Sequence, residues 1–191
     1  MLLDVGIGIF AAILVGKAFT LELGPLLVGF GIAFALLPDF DLWYILLRDG
    51  NRDHRAIARH RDLGHYPLLY IPVGTLLAAV FGAPWALLFA LGAVGHFVHD
   101  SIGTGWGVPW FWPFTNRNYT FFYRYTPVAK PLPKQMLYRW EHERLDELTD
   151  EYWDPQFFRN VYGKLHPLFL FEIAVFMVAL LALWRAGHAG S

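Results

Sequence analysis

GPLLVGFGIAFALLPDFDLWY, residues 24–44, is an apolar run that ends abruptly in a proline followed by two acids. From Pro25 to Leu37 there is no charge and no polar stripe, so a helix here is apolar on every side and needs an apolar surround. Pro38 lacks a backbone donor and breaks the helix, which lets Asp39 and Asp41 turn toward a common point.

The rest of the chain agrees with a lipid solvent. Of its 191 residues 56% are hydrophobic and 16% charged, against about 25% charged in soluble domains. Apolar runs of bilayer length cover 2–19, 21–47 with its interruption at Pro38, 66–81, 84–99 and 167–184. The expected fold is an all-α integral membrane protein, a single domain over 1–191 with about five transmembrane helices. The third and fourth runs meet at Gly82-Ala83-Pro84, where either a re-entrant element or a tight hairpin is expected. The first run has no basic residue ahead of it, Asp4 being its first charge, and is read as a retained span rather than a leader.

Threading five spans puts 48–65 and 100–166 on one side of the membrane. Of the 15 Lys and Arg residues only Lys17 and Arg185 then fall on the other side, which makes the first side cytoplasmic by the positive-inside rule. The expected localisation is the cytoplasmic (inner) membrane. Residues 100–125 hold a dense set of rings, Trp106, Trp110, Phe111, Trp112, Phe114 and Tyr119 among them, suited to the headgroup level. Within 133–149 the spacing of Met136, Leu137, Trp140, Leu145 and Leu148 predicts an amphipathic helix.

Ionisable groups in or beside apolar spans are costly and mark function. Asp39 and Asp41 form one such cluster, and His60 and His65 beside Gly64 another. The third is His96 with Asp100, one helical turn apart and so on one face. The threading brings all three clusters to the cytoplasmic leaflet, where Asp39, Asp41, His60, His65, His96 and Asp100 offer N and O ligands for one or two divalent metals. The chain has no cysteine, so thiolate sites and disulfides are excluded. His/carboxylate ligation suits Zn, with Mn or Fe as alternatives. A net charge of −1 gives no general pull toward nucleic acid.

With LLPDFD at 36–41, HRDLGH at 60–65 and HFVHDSIGTGWGVPWFWP at 96–113, the chain resembles the bacterial inner-membrane metal-dependent hydrolases called YdjM-like. The family pattern reads roughly LLPDxDH, HRGxTHS and HxxxDxxTxxGVxxxxP. Here Leu42 stands in place of the His after the PDxD pair, Gly64 and Tyr66 replace Thr and Ser around His65, and Thr104 lies one residue late. The resemblance implies a helical membrane hydrolase distantly similar to the zinc-dependent phospholipase C and single-strand nuclease superfamily. It implies the same six ligands, with Arg61 beside them to meet an anion.

The expected activity is hydrolysis of a phosphoester by metal-activated water. Arg61 and His99 act in catalysis, His99 as a proton carrier, and Arg117 and Arg124 bind substrate phosphate through their forked donors. At the headgroup level the partners are membrane lipid and a lipid-like phosphoester. A metal-ion transporter, or a membrane protein holding metal without catalysis, remains the alternative, since intramembrane Asp/His sets also mark ion pathways.

Overall fold

The computed structural model describes residues 1–49, 61–127 and 130–188, and the chain divides into two compact units. His60 lies outside the described residues, as does His54.

The first unit comprises Met1–Pro38, Ile71–His96 and Asn160–Ser191. Helix α1 spans Leu2–Phe19 and closes on Thr20, whose left-handed backbone (φ 55) returns its N–H to the Gly16 carbonyl. Helix α2, Pro25–Leu36, starts on a proline, whose missing N–H costs nothing in the first turn. The two helices touch backbone to backbone: a Cβ on Gly8 would come within 2.5 Å of the Ile32 Cα, and one on Gly31 would strike the Gly8 carbonyl. Without a hydrophobic force between helices in lipid, close van der Waals contact at small residues is what holds them. Ala12, Val15, Leu27 and Leu88 bury fully or nearly so beside this contact.

Helices α5 (Pro67–Ala79) and α6 (Ala83–Asp100) meet at Gly82, whose φ of 111° favours glycine, and so form a hairpin. The final helix of the chain, Pro167–His188, packs Ala179 against Ile9 and Ile13 of α1. Elsewhere it leaves Phe171, Met177, Leu181 and Trp184 exposed, a surface suited to lipid. Among the described residues three helices have the length and apolar composition to cross a bilayer: Leu2–Phe19, Pro25–Leu42 and Pro167–His188. The apolar α5 has 13 residues, and α6 has 18 but carries His96, His99 and Asp100 in its last turns.

The second unit comprises Asp39–Tyr70 and Phe97–Arg159. A 3-10 turn at Leu37–Asp39 leads into α3 (Phe40–Asp49), and a single turn, α4 (Arg61–Gly64), precedes α5. Beyond α6 the chain is not all-helical as expected. Strands β1 (Arg117–Phe121) and β2 (Leu137–Glu141) pair antiparallel, Arg117 opposite Glu141 and Phe121 opposite Leu137.

The amphipathic helix expected over 133–149 is therefore replaced by β2, a short 3-10 turn and α7 (Leu145–Glu151). Leu-Tyr-Arg-Trp-Glu alternates in the manner of a strand, which puts its two rings on one face. Tyr138 and Trp140 stack on one face at 5.6 Å, and Trp140 Nε1 donates to Thr120 Oγ1 at 3.0 Å. The apolar positions Leu145 and Leu148 do lie on a helix, packed on Trp106.

Candidate metal centre

The 3-10 turn Leu37–Asp39 carries Asp39, and Asp41 stands in the first turn of α3. His65 opens the short connection between α4 and α5, its side chain fully buried. Its ring stands edge-on to Phe97 with centroids 5.8 Å apart, which fixes its plane.

Its two nitrogens meet different acids. Nε2 lies 3.4 Å from Asp39 Oδ1 and 3.3 Å from Asp100 Oδ2, while Nδ1 faces Asp41 Oδ2 at 3.9 Å. One ligand atom from each of Asp39, His65 and Asp100 lies within 4.8 Å of the others. Asp41 belongs to the opposite side of the ring, with Oδ1 accepting the Leu42 amide at 2.7 Å. Asp41, read from the sequence as a ligand, thus lies on the Nδ1 side of the ring, away from Asp39 and Asp100.

The donor set fits a cation. The two Nε2–O separations exceed the usual 2.7–3.2 Å of an N–H···O bond. They match the ligand–ligand edge of about 3.4 Å that follows from tetrahedral metal bonds of about 2.0–2.2 Å. One imidazole nitrogen carries at most one proton, and two carboxylates drawn together are eased by a cation or a shared proton. In the metal-free state burial works against protonation of His65, yet the neighbouring carboxylates of Asp100 and Asp39 outweigh it and hold its pKa above the ordinary value.

His96 stands one turn before Asp100 on the same unbroken helix, so the two share a face. Its side chain is completely buried, and its Nδ1 lies 3.3 Å from Oδ1 of Asp4, itself buried in α1. Sequence reading passed over Asp4 as the first charge of a span. The signal was present, since an acid inside an apolar run requires a partner. His99, half-buried on the same helix, lies off the His96–Asp100 face.

Arg61 supplies the positive side. Its Nη2 donates to Asp100 Oδ1 at 2.8 Å, and Nη1 reaches the carbonyls of Asp100 at 3.3 Å and Gly107 at 3.5 Å. Gly105 makes room for it: a Cβ there would come within 2.9 Å of the guanidinium carbon, and φ at Gly105 is +77°. The buried Nε of Arg61 has no hydrogen-bond partner among the described residues.

Arg124 supports the same loop from another direction, with Nε donating to the Gly105 carbonyl and Nη1 to that of Tyr125, each at 3.0 Å. Its guanidinium lies 3.2 Å from the centre of the Trp106 ring. Burial pulls its pKa down to about 9, and the ring face favours the cation. Arg117 is placed elsewhere on its strand, half exposed, with Nε 2.8 Å from Glu141 Oε1. That pairing uses its Nε–H.

Apolar helices fit to span a bilayer, together with a buried Asp/His set suited to a cation, define a helical membrane protein with a candidate metal centre. The chain belongs to the YdjM inner membrane protein family, whose model matches residues 4–188. No curated protein and no solved structure matches it.

Proposed function

We propose that the chain is a multi-pass inner-membrane hydrolase that holds one or two divalent cations, Zn before Mn or Fe, on Asp39, His65, His96 and Asp100. Its substrate is a phosphoester of a lipid or lipid-like molecule. The observation that carries this reading is the division of the Asp100 carboxylate. One oxygen is bound by Arg61 and the other faces His65 Nε2, so a cation-binding acid and a guanidinium with a spare Nε–H lie side by side. A phosphoryl group needs that combination of positive charge and directed donors.

A bound divalent cation would lower the pKa of a water toward about 7 and polarise a phosphoryl oxygen. The chain's residues do the remainder. Arg61 orients the phosphate, and Arg124 holds the Gly105 carbonyl that shapes the loop beneath it. As the water oxygen bonds to phosphorus the ester P–O bond breaks, and His99 takes the proton that the water gives up and delivers it to the departing alkoxide. Five spans, with α5 and α6 as a hairpin beside the three long helices, put this site at the cytoplasmic headgroup level, where a lipid enters sideways.

The test is hydrolysis in mixed micelles by the zinc-loaded protein, with phosphatidic acid, a phosphatidylcholine and a polyprenyl phosphate as substrates. Phosphate or phospho-headgroup release that is lost in Asp100→Asn supports the reading. Release that persists after complete chelation sinks it, and so does failure on every substrate with metal bound. Metal uptake into proteoliposomes without hydrolysis would assign the site to transport instead.

A further inference from the structure

Asp4 is the deepest acid of the first unit, with 1% of its side chain exposed, and it faces His96 Nδ1 across 3.3 Å. A carboxylate is expensive at such a position unless its charge is used, and its two oxygens are divided, Oδ2 lying 3.1 Å from the Met1 ammonium and Oδ1 facing His96. The approach of α1 to α6 is permitted by Gly95, next to His96, because any Cβ there would collide with the side chain of Ile7, one turn beyond Asp4. The chain therefore gives up a side chain on one helix and buries an acid on the other at the same level.

We propose that Asp4 is a positioning residue for the metal centre: it accepts the Nδ1–H of His96, fixes that tautomer, and turns the Nε2 lone pair outward as a ligand for a divalent cation. This rests on the metal-binding reading above. Carboxylate partners of this kind orient a ligating imidazole and raise its basicity, and their loss costs 10–100-fold in metal affinity. The arrangement repeats that of His65, whose Nδ1 faces Asp41 while Nε2 faces Asp39 and Asp100. Each candidate histidine thus has an aspartate facing its Nδ1, at 3.3 Å for His96 and 3.9 Å for His65, and its Nε2 would be the atom to hold the cation.

The experiment titrates detergent-purified full-length protein with zinc and cobalt(II), comparing wild type, Asp4→Asn and Asp4→Glu, with folding followed by thermal melting. We expect Asp4→Asn to bind about 10–100-fold more weakly than wild type, with a shifted cobalt absorption band at saturation and partial recovery in Asp4→Glu. In cobalt-loaded wild type the His96 Nδ1–H gives an exchangeable, hyperfine-shifted proton resonance that His96→Gln removes. Wild-type affinity and an unchanged band in folded Asp4→Asn would overturn the positioning role and leave the metal centre standing. Absence of metal binding in wild type would overturn both. If the Asp4 variants fail to fold, the resonance decides: its presence supports the proposal and its absence ends it.

Discussion

Arg61 Nη2 lies 2.8 Å from Asp100 Oδ1, the closest ion pair of the candidate centre. The second oxygen of that carboxylate faces His65 Nε2 at 3.3 Å. One side chain from the end of α6 therefore joins the cationic and the metal-binding halves of the site.

Asp100→Asn is expected to reduce zinc affinity by at least the 10–100-fold that follows loss of an outer partner, because it removes a charged ligand outright. Competition with a chromophoric chelator measures this. Retention of one equivalent of metal at wild-type affinity would exclude Asp100 as a ligand.

Arg61→Lys keeps the charge but loses the fork that spans Asp100 and Gly107. Metal content should remain near wild type while turnover falls by about tenfold or more, the loss of roughly one directed charged hydrogen bond. Equal turnover in the lysine variant would show that Arg61 acts as a bulk charge only.

Zinc affinity should fall as the medium is acidified. Asp100 and Asp39 raise the pKa of His65 in the metal-free protein, so its imidazole binds a proton more tightly than an ordinary histidine and the cation must displace that proton. Above the raised pKa the ring is neutral and affinity is flat; below it affinity declines by up to tenfold per pH unit for one displaced proton. Isothermal titration at several pH values checks this, and an affinity independent of pH between 6 and 8 would argue against His65 as a ligand.

Arg117→Ala should change stability by only about 0.2–1 kcal/mol, the worth of an exposed ion pair, and leave turnover within about twofold. Arg124→Ala removes a buried guanidinium from the Trp106 ring and from two carbonyls, at about 2–4 kcal/mol. Melting temperatures and turnover of the two variants separate a surface pair from a loop support. A large loss of turnover in folded Arg117→Ala would restore its phosphate role.

Gly31→Leu forces a side chain into the contact with Gly8. Overpacking of this kind costs about 1–3 kcal/mol, and the variant should melt earlier and elute as a broader species. An unchanged profile would mean that α1 and α2 do not depend on backbone contact.

The sequence alone determined the solvent and the candidate ligands. Apolar runs at 2–19, 24–37 and 167–184, with few charges or none, dictate apolar helices, since only internal hydrogen bonding satisfies the backbone in lipid. Asp39, His65, His96 and Asp100 were legible because ionisable groups at the ends of such runs need partners. Tertiary structure decided how those groups divide. Asp39 and Asp41 sit two residues apart yet meet opposite nitrogens of His65, because one lies in the 3-10 turn and the other in the first turn of α3. It decided that Asp4 serves His96, a pairing between distant segments that depends on Gly95 letting two helices close. It also made residues 137–141 a strand, because their alternating rings bury against β1, a partner that helical periodicity within one segment cannot reveal.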